Sequence, residues 1–290
     1  MPTTRRSIAG LSLAAMLLAA CAGAAPTPTP VATPPAEAAF LLRITTVQAL
    51  PPTATFGWLP QLEITLDGKV LQGGAVPAIF PGPLLQPIFA RQISAVGWGR
   101  IVAAARAAGL LTGAVDFTGG QMPPGSAATR LEIVADGRRF SLTGDPGRTI
   151  QCIQAPCVAP AGTPEAFAGF ISAVSDPSAI AGAAELGPDV PFVPTGYAIV
   201  VGAVPDDQGL PQQPMAWPLP AGFGVFGKPL ADGSGGRCGI VTGAEAAALH
   251  GPLGAANQLT PWRDPVDGSF HGLAVRQVLP GDGDVCEGLV

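Results

Sequence analysis

The residues of this chain able to do chemistry are few: five cysteines, two histidines and several closely spaced aspartates. Two carboxylates flanking one bond can hydrolyse a glycoside, one as acid and the other as base or nucleophile. Asp264 with Asp267, and Asp282 with Asp284, are near enough in sequence for that. Yet Asp67, Asp136, Asp232, Asp267 and Asp282 each precede a glycine, a placement that turn formation alone explains. A serine hydrolase needs a nucleophile elbow and a histidine base; Gly233-Ser234-Gly235 lacks the elbow's pattern, and only His250 and His271 could act as base. His250 closes an Ala-rich stretch and reads as a cation at a helix C-terminus, whereas His271 alternates within a strand-like run and reads as a surface residue. Cys152 and Cys157 with two distant histidines depart from structural zinc spacings, and Asp282 with Asp284 fit no calcium loop. No P-loop, dinucleotide fingerprint or H-E-x-x-H motif occurs. No catalytic residue, cofactor or metal ligand is therefore assigned, and the residues favour binding over catalysis.

Composition narrows the partners. The chain carries 15 Lys+Arg against 20 Asp+Glu, a net charge of -5, with the basic residues scattered, so it has no footprint for a polyphosphate and nucleic acid is not expected as a partner. Hydrophobic residues make up 48% and charged residues 12%, which predicts a folded chain rather than a disordered polyelectrolyte. With 39 Gly and 33 Pro, short elements joined by stiff loops are expected.

Leu18-Ala19-Ala20-Cys21 follows Arg5, Arg6 and an apolar run from Ile8 to Ala20, about 13 residues, the length of a signal-peptide core and too short to span a bilayer. This segment resembles the signal of bacterial lipoproteins, in which the cysteine thiol takes a diacylglycerol and becomes the mature N-terminus. The resemblance implies a signal peptide over 1–20, lipidation at Cys21 and a protein held by that lipid on the extracytoplasmic side of the cell membrane or envelope. An ordinary secretory signal would instead leave Cys21 as a spare thiol. Lipidation leaves four cysteines, an even number in an oxidising compartment. Three connectivities are possible; proximity favours Cys152 with Cys157 and Cys238 with Cys286.

The elements that would position these residues can be traced in order. Residues 21–38, rich in Pro and Thr, form a tether that cannot bury a core. A first α+β domain is expected over 39–187. It has strands at Phe40–Thr46 and Leu62–Leu66, a helix capped by Ser94 with a stripe of Trp98, Ile101, Val102, Ala105 and Ala108, and a hairpin turning at Asp136-Gly137. A helix capped by Thr163 with Pro164 at its first position buries Phe167, Phe170, Ile171 and Val174. A second α+β domain over 188–290 has a strand at Tyr197–Val201, a capping box at Thr242–Glu245 opening a helix that Gly251-Pro252 interrupts, and a last strand from Phe270 to Leu279. The similar order of elements suggests two small sheet-plus-helix domains related as a degenerate tandem repeat. Trp58, Trp217 and Trp262 stand near prolines and, with Phe80, are candidates for an aromatic recognition surface; for the tryptophans, anchoring of loops is the favoured reading, since their burial contributes so much.

Several stretches, among them Leu62–Val70, Ile79–Pro83, Arg237-Cys238-Gly239, Thr260-Pro261-Trp262 and Val275–Pro280, resemble a group of uncharacterised bacterial lipoproteins across nearly all the mature chain. That resemblance implies a location and no activity. The first half's order of hairpin, helix, hairpin, helix is similar to emfourin-type inhibitors of thermolysin-like proteases. The combined expectation is a lipid-anchored binding or structural module of the cell envelope, with a protein or cell-wall partner. The alternatives are a carboxylate-based extracellular hydrolase acting on carbohydrate and a protease inhibitor.

Overall fold

Strand β1 (Phe40–Gln48) lies at the centre of the first sheet. The computed structural model describes residues 39–120, 125–148, 159–207 and 209–290. Cys21, the signal, the tether and the Cys152–Cys157 pair fall outside these. The described residues belong to one compact unit.

After β1 come α1 (Pro52–Thr55), β2 (Leu62–Thr65), β3 (Lys69–Gly73), β4 (Ile88–Gln92), α2 (Ala95–Ala107), β5 (Val115–Asp116), β6 (Ala127–Ala135) and β7 (Arg138–Gly144). Helices α3 (Pro164–Val174) and α4 (Pro177–Ala181) then lead to β8 (Val190–Pro191). Among the described residues these strands form an eight-stranded sheet in the order β5-β7-β6-β1-β2-β3-β4-β8. The local signals act as expected. Ser94 Oγ accepts the Gly97 N–H at 3.0 Å, and Thr163 Oγ1 accepts that of Ala166 at 3.2 Å, so two helix starts have their orphan donors satisfied. At the β6–β7 turn Asp136 and Gly137 both take positive φ, 51° and 69°, as a two-residue hairpin requires.

Period-two alternation divides the sheet's two faces. Leu42, Ile44, Ile64, Leu131, Ile133, Phe140 and Leu142 point to one face, where α2, α3 and α4 cover them with Ile101, Ala105, Phe167, Ile171, Val174 and Ala181. The intervening residues, Arg43, Glu63, Arg130, Glu132 and Arg139, share the opposite face.

The second sheet contains β9 (Gly196–Gly202), β10 (Met215–Ala216), β11 (Lys228–Pro229), β12 (Arg237–Thr242), β13 (Trp262–Arg263) and β14 (Phe270–Gln277), ordered β10-β13-β14-β9-β12-β11. Helix α5 (Gly243–Ala255) packs on one face with Tyr197, Ile199, Val201 and Val275. The other face, with Ala198 and Cys238, meets Phe56 and the C-terminal segment. Cys238 and Cys286 are disulfide-bonded as expected, with Cα atoms 5.8 Å apart, so the C-terminal segment is tied to β12. Leu279 on that segment packs against Leu71, Ile88 and Ala90 of the first sheet.

The fold is α+β with two sheet-based parts, and three expectations within it change. Helix α5 runs through Pro252 to Ala255 instead of stopping, and Thr242 makes no side-chain cap. Proline removes one hydrogen bond, but Leu253 and Ala256 beyond it are 0% and 4% exposed, and their burial holds the last turn in place. Trp217 and Trp262 are 3% and 0% exposed, so neither belongs to a recognition surface. With Phe223 and Phe226 they form an aromatic cluster in the second core, Trp217 and Trp262 meeting edge-on at 6.1 Å. The two sheets differ in strand number and order, and three helices cover one sheet against one on the other, so the parts are not copies in topology.

Candidate functional site

The charged face of the first sheet is partly roofed by the C-terminal segment. In register across three strands, Arg43 of β1 lies between Glu132 of β6 and Glu63 of β2, and Thr45 lies opposite Arg130. Arg276 enters from β14 on the face of the second sheet that carries Ala198. Asp282, in the turn after β14, accepts the guanidiniums of both Arg43 and Arg276 on one oxygen and the Leu279 N–H on the other at 2.8 Å. Glu63 accepts the Gly281 N–H at 2.9 Å and lies 3.5 Å from Arg43. A Cβ on Gly281 would fall 2.7 Å from both the Arg43 guanidinium and the Glu63 carboxylate, so only glycine lets the turn approach so closely.

This cluster joins the two sheets, and its side chains are largely buried. The side chains of Arg43, Glu63 and Asp282 are 9%, 0% and 2% exposed. Burial pushes the Glu63 carboxyl above its ordinary range, opposed by the Arg43 charge and the Gly281 N–H. The same burial lowers the pKa of Arg276 against the pull of Asp282. Glu63 Oε2 and Arg276 Nε are buried without a hydrogen-bond partner among the described residues.

Beside the cluster opens a cleft of about 370 Å³. Its floor is Arg43, Arg276 and Asp282; Arg130, Glu132 and Arg139 stand on one side, Trp58 and Leu59 on another, with Thr45, Thr46 and Thr55 adding hydroxyls. Arg139 is held by Glu132 at 2.8 Å and lies over the Phe40 ring at 4.7 Å. Arg130 is exposed, and its side chain makes no hydrogen bond or ion pair among the described residues. The cleft therefore offers rigid guanidinium donors, one uncommitted cation, hydroxyls and a half-buried indole. A larger hollow of about 440 Å³ runs along β9 and β14 beneath Pro83–Gln86, but no titratable side chain lines it. It can provide apolar contact without chemistry.

The aspartates singled out in the sequence are engaged elsewhere. Asp264 is 3% exposed and accepts the backbone N–H groups of Phe223 at 2.6 Å and Val266 at 2.7 Å. Asp267 accepts the Ser269 hydroxyl and N–H, and Asp284 accepts the Cys286 N–H at 3.0 Å. Asp282 alone reaches the cleft, and its oxygens are both occupied. The Ser269 hydroxyl also lies 2.9 Å from His271 Nε2. There the serine stands between carboxylate and imidazole, the reverse of a hydrolytic triad, in which the histidine is central. His271 is half-buried against Phe223, and His250, rather than capping α5, lies inside it with Nδ1 2.6 Å from the Tyr197 hydroxyl. Asp232 accepts the Ser234 N–H and holds the Gly-Ser-Gly turn.

Of the aromatic residues expected at a recognition surface, Trp58 lines the cleft, while Phe80 is 55% exposed on the loop between β3 and β4 and is not among the cleft's residues. The arginines were not singled out by type or spacing. Their signal was alternation: Arg43 between Leu42 and Ile44, and Arg130 and Glu132 around Leu131, are the polar teeth of half-buried strands. Strand pairing and the disulfide-tied C-terminal segment bring these scattered residues together. Comparison with protein-family models, curated proteins and solved structures finds no match.

Proposed function

We propose that this protein is a lipid-anchored extracytoplasmic binding module of the cell envelope, and that its binding site is the arginine cleft. One observation carries the reading: four guanidinium groups, from β1, β6, β7 and β14, converge on one concavity, two of them fixed by buried carboxylates. Holding guanidiniums in a defined fork before the ligand arrives lowers the entropy lost on binding. The ligand group is anionic, because the Arg130 side chain has no partner among the described residues. The Cys238–Cys286 bridge supports an oxidising location, and the signal segment ending at Cys21 supports lipid attachment.

Calorimetric titration of the full chain with carboxylated, sulfated, phosphorylated and neutral polymers, at low and high salt, tests the site. At least one anionic polymer is expected to bind and to weaken with salt, and the Arg130→Ala, Arg139→Ala double variant is expected to lose that binding. Equal binding by the variant, or binding to no anion, contradicts the reading. Fractionation of Cys21→Ser cells tests the anchor: the protein should leave the membrane fraction, and retention there after a salt wash would contradict lipid attachment.

A further inference from the structure

We infer that the group this cleft takes is the carboxylate of an acidic saccharide, a uronate unit being the simplest form; the inference rests on the cleft being the binding site. The mixture of donors and acceptors decides the class. Carboxylates beside the arginines repel any anion, so they favour a ligand with one anionic group to meet Arg130 and neutral hydroxyls that can donate to a carboxylate oxygen. Here Glu132 and Asp282 line the same cleft as the arginines. Glu132 binds Arg139 through one oxygen, leaving the other to accept from a neutral hydroxyl. Thr46 Oγ1 accepts from Gln61 Nε2 at 3.0 Å, so its own hydrogen remains to donate, and the Thr45 hydroxyl has no partner among the described residues. Arginine forks, a free carboxylate oxygen and hydroxyls suit a ligand that carries one planar anion and several hydroxyl groups.

The walls agree with this. Trp58 is half-buried at the cleft, and an indole face packs well on the apolar C–H face of a pyranose ring while excluding water. Arg130, the uncommitted cation, is placed to take the carboxylate. The volume of about 370 Å³ lies at the small end of the range of ligand sites, roughly 300–1,000 Å³, which suits a short stretch of glycan.

The test titrates the full chain with an oligogalacturonate, its methyl ester, inorganic phosphate and a neutral oligosaccharide of equal length, reading heat and tryptophan fluorescence. The free acid should bind and change the emission, the methyl ester should bind at least about tenfold more weakly, as expected for a lost charge-assisted pair, and phosphate should not compete. Arg130→Ala, at an exposed position that leaves the fold intact, should weaken acid binding about tenfold or more. Trp58→Phe should keep binding while losing most of the emission change, because Trp98 packs on the helix-covered face of the first sheet and Trp217 and Trp262 lie buried in the second core. Phosphate binding with no response to uronate overturns the saccharide assignment and leaves the anion site standing. Equal affinity for acid and ester overturns it as well. Binding to none of the ligands counts against both.

Discussion

Removing the carboxylate of Asp282 should unfold the protein far more readily than removing that of its exposed neighbour Asp284. One oxygen of this side chain, 2% exposed, accepts the guanidiniums of both Arg43 and Arg276, and the other holds the Leu279 N–H. Asp282→Ala leaves Arg43, itself only 9% exposed, with the more distant Glu63 at 3.5 Å as its remaining counter-ion. Breaking a buried ion pair from one side costs about 3–5 kcal/mol, and the lost acceptor for the backbone N–H adds about 1 kcal/mol. Asp282→Asn keeps an oxygen for the backbone N–H and should cost less. Asp284→Asn, two residues on but exposed, should stay within about 0.5 kcal/mol. Urea unfolding at neutral pH, followed by tryptophan fluorescence at constant m-value, measures all three. A loss below about 1 kcal/mol for Asp282→Ala, against the expectation for a buried pair, would refute the view that this cluster joins the sheets.

Other outcomes follow from the same structure. Replacing Cys238 and Cys286 by serine opens a loop with a sequence separation of 48, which the chain-entropy model values at roughly 4 kcal/mol; a fall of the thermal midpoint should accompany it, and an unchanged midpoint would contradict a structural bridge. Because burial raises the folded pKa of Glu63, its contribution to stability is full below the unfolded pKa and is lost as pH rises through the folded value. Glu63→Gln should therefore gain stability relative to the parent as pH rises above about 4.3, and a pH-independent difference would count against that burial. Asp67, lowered by its hydrogen bonds to Lys69 and Thr65, should give the opposite slope, its contribution being lost as pH falls. Tyr197 is the one tyrosine of the chain, and burial pushes its pKa up to about 12. Ultraviolet titration should find no phenolate near pH 10 until denaturant is added, and ordinary titration in the native protein would contradict its burial.

Much of the scaffold was legible because its signals are local. Ser94 and Thr163 cap the helices expected of them, Asp136-Gly137 turns its hairpin, and the alternation of Leu42, Ile44, Leu131 and Ile133 marks the buried face. Where a signal was local but the outcome was set by packing, the expectation changed: Pro252 stands inside a helix because Leu253 is buried beyond it. Trp217 and Trp262, placed by their neighbouring prolines near the surface, are drawn into the core by the burial their rings provide. The cleft was harder to see, since Arg43, Glu63 and Arg276 meet only through strand register and the close approach of Gly281. Sequence distance hides such a site: Asp282 is 239 residues from Arg43.

If the arginine cleft binds an anionic ligand, the side-chain Nε–H signals of its arginines report on it directly. Nuclear magnetic resonance of the full chain with labelled arginine, titrated with an oligouronate and assigned by single substitutions, should move the signals of Arg130, Arg139 and Arg276 together at one affinity. Those of Arg100 and Arg106, paired with Glu185 and Asp136 away from the cleft, should stay in place. Shifts at Arg100 or Arg106 with the cleft arginines silent would contradict binding in the cleft.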